Sequence, residues 1–192
     1  MRKTSRIRKT RETGIEAALC LDGCGNSVID TPVPFFNHML ELFSRHSGFD
    51  LEIKATGDIE VDSHHLIEDT GIVLGECFSQ CLGDKKGIER YANIQVPMDE
   101  TLAGSVVDIS GRAYLVFRGE IPRERIGNFD TEVVEDFFQA FVNNAKITLH
   151  LTLHYGKNSH HIIEAFFKAF AQSLKKAAAV TGDRIPSTKE IL

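Results

Sequence analysis

Apolar residues alternate along some stretches of the chain and recur at helical spacing along others. Ile15, Ala17, Leu19 and Leu21 take every second position, as in a half-buried strand, and strands are predicted over 5–12 and 14–21. PFFNHMLELFSRHS (34–47) has helical spacing, with Pro34 suited to a first turn. Alternation returns at 49–56, where Phe49, Leu51 and Ile53 share a face. SHHLIEDTGIVLGECFSQCL (63–82) predicts a helix with Ser63 as N-cap, although Gly71 and Gly75 lower its intrinsic propensity. The second half predicts strands over 89–97, 102–109 and 112–118, a helix over about 131–143, a strand over 146–154 and a long helix from Ser159 to about Ala179. The closing RIPSTKEIL is polar and contains a proline, so composition alone allows a disordered tail.

The order β-β-α-β-α thus occurs twice, with a further strand near the middle. The likeness extends to sequence: SHHLIED begins at Ser63 and SHHIIEA at Ser159, while LDGCG (21–25) is echoed by DISGR (108–112). Two long copies are too few for a solenoid. They predict an α+β fold of two duplicated halves, 1–87 and 88–180, with sheets and helices packed as layers and a tail over 181–192.

Composition narrows the partners. Across 192 residues, 22 basic and 27 acidic side chains leave a net charge of −5, which argues against general nucleic-acid binding. No apolar run reaches membrane-spanning length and no hydrophobic signal segment follows the N-terminal charges. Cys20, Cys24, Cys77 and Cys81 form two C-x3-C pairs, which is neither a zinc-ribbon nor a redox spacing; reduced, buried thiols and a cytoplasmic location are expected. The basic opening MRKTSRIRK is either a solvated arm or a contact for an anionic ligand.

The repeated HHxxE carries the chemistry. Residues four apart on a helix point the same way, while adjacent ones diverge by roughly 100°. His64 with Glu68, and His160 with Glu164, can therefore each chelate a divalent metal, while His65 and His161 aim elsewhere and could serve a second ion. His38 precedes the first motif by about the distance at which Asp136 precedes the second. His46, His150 and His154 fall outside the repeat and read as structural or surface residues. With no cysteine in the set, mixed nitrogen and carboxylate donors suit Mn, Fe, Co or Zn.

These residues, together with RKTRET (8–13), PFFNHML (34–40), GFDLEIKATGD (48–58), GDKKGIERY (83–91), PMDETL (97–102), GKNSHHIIEAFFKAFA (156–171) and PSTK (186–189), closely resemble the imidazoleglycerol-phosphate dehydratase family of histidine biosynthesis. The resemblance runs nearly end to end. It implies four-stranded sheets packed on paired helices, as in the second domain of ribosomal protein S5. It further implies trimers assembled into 24-subunit shells, with two Mn2+ per active site where subunits meet. One ion would take His38, His64, Glu68 and His161, and the other His65, His160, Glu164 and Asp136. Asp136 stands where many members have histidine, and Glu190 where STKG is usual; a carboxylate still suits Mn2+, but Glu190 lacks glycine's backbone freedom.

The implied reaction converts D-erythro-imidazole-glycerol phosphate to imidazole-acetol phosphate and water. The departing hydrogen lies on a carbon with no neighbouring carbonyl, so the ring must supply electrons, and two metals on its two nitrogens would stabilise an imidazolate that expels the hydroxyl through a diazafulvene-like intermediate. The resemblance gives Glu12 a proton-transfer role, and it gives Arg90, Arg112, Lys168, Ser187 and Lys189 the phosphate. A dinuclear phosphate-ester hydrolase and a non-catalytic metal-storing or metal-sensing oligomer are the competing readings.

Overall fold

A computed structural model describes all 192 residues. The first half contains β1 (Lys3–Lys9), β2 (Thr13–Cys20), β3 (Ser27–Asp30), α1 (Pro34–Ser47), β4 (Asp50–Gly57) and α2 (His64–Leu82). The second contains β5 (Tyr91–Met98), β6 (Thr101–Asp108), β7 (Tyr114–Arg118), a short hairpin β8–β9 (Arg125–Ile126 and Phe129–Asp130), α3 (Val133–Ala145), β10 (Thr148–Tyr155) and α4 (Ser159–Ala177). The sheets run β1-β2-β4-β3 and β5-β6-β10-β7, antiparallel except for the parallel β3–β4 and β7–β10 pairs that flank α1 and α3.

Each half is therefore β-β-β-α-β-α, one strand richer than the sequence period predicts. The strand at 112–118 is no extra element; its counterpart is β3, which hides from pattern reading because its four residues lie at a sheet edge with no buried alternation. Residues 3–9 form an edge strand rather than a loose arm. The tail is also held: Arg90 donates to the Pro186 carbonyl at 2.8 Å, and Leu192 packs on the core.

Alternation works as expected in the central strands. Ile15, Ala17 and Leu19 of β2, and Leu51 and Ile53 of β4, turn into one continuous core that spans both halves. Between the sheets, α1 lies along α4 and α2 along α3, and successive contacts fix their directions. His38, Phe43 and Gly48 of α1 meet Glu164, Phe170 and Lys175 of α4 in the same order. Gly71 and Gly75 of α2 meet Phe137 and Phe141 of α3. Phe137 and Phe141 in turn meet Phe167 and Phe170. All four helices thus run parallel and begin at the same end of the molecule.

The glycines that weaken α2 as an isolated helix are what lets it approach α3. A Cβ on Gly75 would sit 2.5 Å from the Phe141 carbonyl oxygen, and one on Gly71 2.7 Å from that of Phe137. Backbone cannot yield there as a side chain can. Gly75→Ala should gain helix propensity yet lose roughly 1–3 kcal/mol net through overpacking. Thermal unfolding measures this; an unchanged or raised midpoint would show that the helices separate without cost.

Candidate functional site

The shared helix origin gathers the histidines. Asp62 Oδ1 accepts the His64 amide at 2.8 Å, and Asn158 Oδ1 accepts the His160 amide at 3.0 Å, so both HH motifs open on a capped first turn. Ser63 is not the capping side chain predicted above. Its backbone is already helical, and its buried hydroxyl has no partner. The equivalent Ser159 hydroxyl accepts the Arg123 amide at 3.0 Å, from a connection that is much shorter in the first half.

Three donors converge between α1 and α4. Glu164 Oε2 lies 3.3 Å from His38 Nε2 and 3.1 Å from His160 Nε2, and one ligand atom of each residue falls within 4.8 Å of the others. Glu164 is buried, whereas the histidine side chains are a little over 40% exposed. Burial pushes the Glu164 carboxyl up, but Lys168, whose Nζ touches Oε1, and the two histidines outweigh it and hold the group below its ordinary value. The other oxygen remains directed at the histidines.

Between α2 and α3 the corresponding residues are neighbours without converging: Glu68 Oε2 lies 3.8 Å from His64 Nε2, and Asp136 Oδ2 lies 3.7 Å from the other ring nitrogen, Nδ1. The i,i+4 pairing expected on each helix is thus present twice. Within one chain His38 lies with His160 and Glu164, and Asp136 beside His64, because α1 packs on α4 and α3 on α2.

His65 and His161 diverge from their neighbours, with ring planes at 81° in both motifs. His65 Nδ1 lies 3.1 Å from Asp58 and 3.9 Å from Glu12; His161 Nδ1 lies 2.7 Å from Glu100. Hydrogen bonding to Asp58 raises the His65 pKa, and bonding to Glu100 raises that of His161, while Glu100 is itself lowered to about 2 by His161 and the amide of Asn158. With Nδ1 of each ring turned to a carboxylate, Nε2 is the nitrogen left to meet a metal. Asp58 and Glu100 went unassigned in the sequence, although both lie in quoted motifs, because only the fold brings the β1–β2 and β5–β6 ends of the sheets to the helix starts.

Four of the five residues assigned to phosphate do converge, far from these groups. Arg90, Arg112, Ser187 and Lys189 line an open cleft of about 620 Å³. Lys168 does not join them and sits on Glu164. Arg90 is the organiser. Its guanidinium lies on Asp108 at 2.8 and 3.3 Å, stacks over Tyr91 at 4.6 Å and holds the Pro186 carbonyl. Hydrogen bonding to Asp108 raises its pKa further. Glu190 adopts φ +58°, the left-handed conformation that glycine would take without strain.

The chain was compared with known proteins. The family described as imidazoleglycerol-phosphate dehydratase matches residues 31–174. An imidazoleglycerol-phosphate dehydratase of Methylorubrum extorquens is 54% identical over 192 residues, covering 98% of each chain. One from Lacticaseibacillus casei is 53% identical over the whole of both. The crystal structure of the Staphylococcus aureus enzyme superposes with a TM-score of 0.85 at 46% identity, covering 93% of this chain and 99% of that one. That of Pyrococcus furiosus, solved in complex with (S)-C348, gives 0.85 at 32%, covering 97% and 100%.

Arg90→Ala removes the hydrogen bond that anchors the tail, worth about 1.5 kcal/mol or more for a charged donor. Amide exchange over residues 187–190 should speed up by roughly tenfold or more, with the core unchanged. Unaltered protection of the tail would show that Leu192 and the Gly87–Arg184 hydrogen bond hold it without Arg90.

Proposed function

The chain belongs to the imidazoleglycerol-phosphate dehydratase family and is a hydro-lyase of that kind; from this premise we propose that it dehydrates imidazole-glycerol phosphate at a dinuclear Mn2+ site shared between copies of itself. The supporting observation is the convergence of His38, His160 and Glu164 at the start of α1 and α4, with the second HHxxE pair and Asp136 beside it at the matching ends of α2 and α3.

The donor set fits Mn2+. It offers imidazole nitrogens and carboxylate oxygens and no thiol, since Cys77 and Cys81 are buried more than two turns farther along α2 than Glu68. His38, His160 and Glu164 would hold one ion and His64, Glu68 and Asp136 the other. Each group leaves exposed imidazole edges, and His65 and His161 point away from their own groups. In the assembly, His65 of a second copy would complete the first site and His161 the second. Bound there, the two Mn2+ would supply Lewis acidity at both nitrogens of the substrate ring, where negative charge develops as the carbon-bound proton leaves.

Distance favours a shared site. Glu164 lies near the start of α4, whereas the Arg90 amide bonds to Ala177 at its end, at 2.9 Å. Thirteen residues of helix separate them by about 20 Å. A single imidazole ring and a three-carbon chain are much shorter. One copy can therefore hold the ring or the phosphate of a given substrate, but not both.

The remaining residues take roles by position. Glu12 is exposed on the β1–β2 turn beside His65, so its carboxylate can move a proton at the ring's edge and exchange it with solvent. Arg112 and Lys189 are exposed in the tail cleft and bind phosphate, while Arg90, committed to Asp108 and Pro186, fixes the cleft's shape. Lys168 steadies Glu164.

Mn2+-loaded protein given imidazole-glycerol phosphate should form imidazole-acetol phosphate without releasing inorganic phosphate. Phosphate release alone would identify a phosphate-ester hydrolase instead. Glu164→Ala should weaken one of the two Mn2+ sites by roughly a hundredfold or more, as read by metal analysis after dialysis. Full retention of both ions would contradict the grouping. Glu12→Gln should keep both ions and lower kcat by about 10²- to 10⁴-fold; unchanged turnover would remove Glu12 from the mechanism.

A further inference from the structure

The strand registers reveal a second cleft built like the first. Lys3 pairs with Cys20 as Tyr91 pairs with Asp108, which makes Arg2 the counterpart of Arg90 and Gly23 that of Gly111. The likeness is one of backbone position, and the carboxylate partners differ: Arg2 Nη2 and Nε lie on Asp22 at 2.7 and 3.0 Å, two residues beyond Cys20, which is the counterpart of the Asp108 that holds Arg90. Arg2 Nη1 donates to the Ala178 carbonyl at the end of α4 at 2.6 Å, whereas Arg90 holds Pro186 of the tail. The Leu21 amide bonds to the Arg2 carbonyl at 2.9 Å and the Ile109 amide to that of Arg90 at 3.0 Å. The two clefts flank the end of α4.

Beside Arg2 opens a cavity of about 380 Å³, lined also by Arg45, Lys175, Cys24 and Gly48. Arg45 and Lys175 come from the last turns of α1 and α4 and have no carboxylate partner. The nearby carboxylates are occupied: Asp22 by Arg2 and the terminal amine, and Asp50 by the amides of Cys24 and Asn26 at 3.0 and 2.9 Å. Arg45 and Lys175 thus face one cavity with no free anion to neutralise them. The tail that borders the first cleft is absent from this one.

We propose that this second cleft is a separate binding site for a phosphate dianion, either inorganic phosphate or the phosphate end of a small monoester. An arginine fork from Arg45 and the compact ammonium of Lys175 can engage different oxygens of such a group, while Arg2, fixed on Asp22 and Ala178, forms the cavity wall. The assignment makes the N-terminal basic stretch, through Arg2, part of an anion site. The structural likeness rests on reading the tail cleft as the substrate's phosphate site; the unpaired charges of the second cleft do not.

The test is calorimetric titration of the Mn2+-loaded enzyme with inorganic phosphate. The Arg45→Ala/Lys175→Ala double variant should lose one class of phosphate sites, weakened roughly ten- to hundredfold or more, with KM for substrate unchanged. Lys176→Ala removes the same charge from the same helix end but lines a different surface, and it should bind as the parent does. Equal phosphate binding by the double variant and the parent, or an equal loss in Lys176→Ala, would overturn the proposal. Arg112→Ala tests the tail cleft independently through its KM. In that background, imidazole-acetol phosphate binding that depends on Arg45 and Lys175 identifies a monoester as a ligand. Binding of inorganic phosphate alone identifies the free ion.

Discussion

The close parallel packing of α2 on α3 and of α1 on α4 is the constraint on which the site depends. An HHxxE motif provides only two donors in one direction. The third, His38 or Asp136, comes from a different helix, and reaches the pair only because both helices start at the same level. Glycine at positions 71 and 75 lets α2 approach within contact of the α3 backbone, and interleaved phenylalanines hold α3 on α4. Duplication then sets a second HHxxE pair, with Asp136 beside it, at the same level.

The same arrangement separates two kinds of side chain. The candidate metal donors collect where the helices begin, and the basic clefts where they end, with the length of α4 between. A helix cannot shorten, so a small substrate reaches both ends only if they belong to different copies. The divergence of His65 and His161, each backed by a carboxylate of the sheet ends, fits that requirement. In this account the assembly is a condition of catalysis.

Much of this was legible in the residues. The central strands and all four helices follow from their periods, and the matched histidines from the repeat itself. The edge strand β3 was not legible, since it has no buried face to pattern, and the tail's order depends on Arg90, nearly a hundred residues away. The capping residue of α2 was misplaced by one position, from Asp62 to Ser63, because backbone conformation decides which side chain reaches the free amide. Which third donor joins which HHxxE pair is a property of helix packing, and no spacing along the chain contains it. Lys168 illustrates the same point: its charge suited phosphate, but one helical turn from Glu164 it neutralises a buried carboxylate.

Anomalous scattering from crystals of the Mn2+-loaded assembly addresses the central claim directly. Two ions are expected at each site, one on His38, His160 and Glu164 and the other on His64, Glu68 and Asp136, each completed by a histidine from a neighbouring copy. A single ion per site, or two ions liganded entirely within one chain, would contradict it.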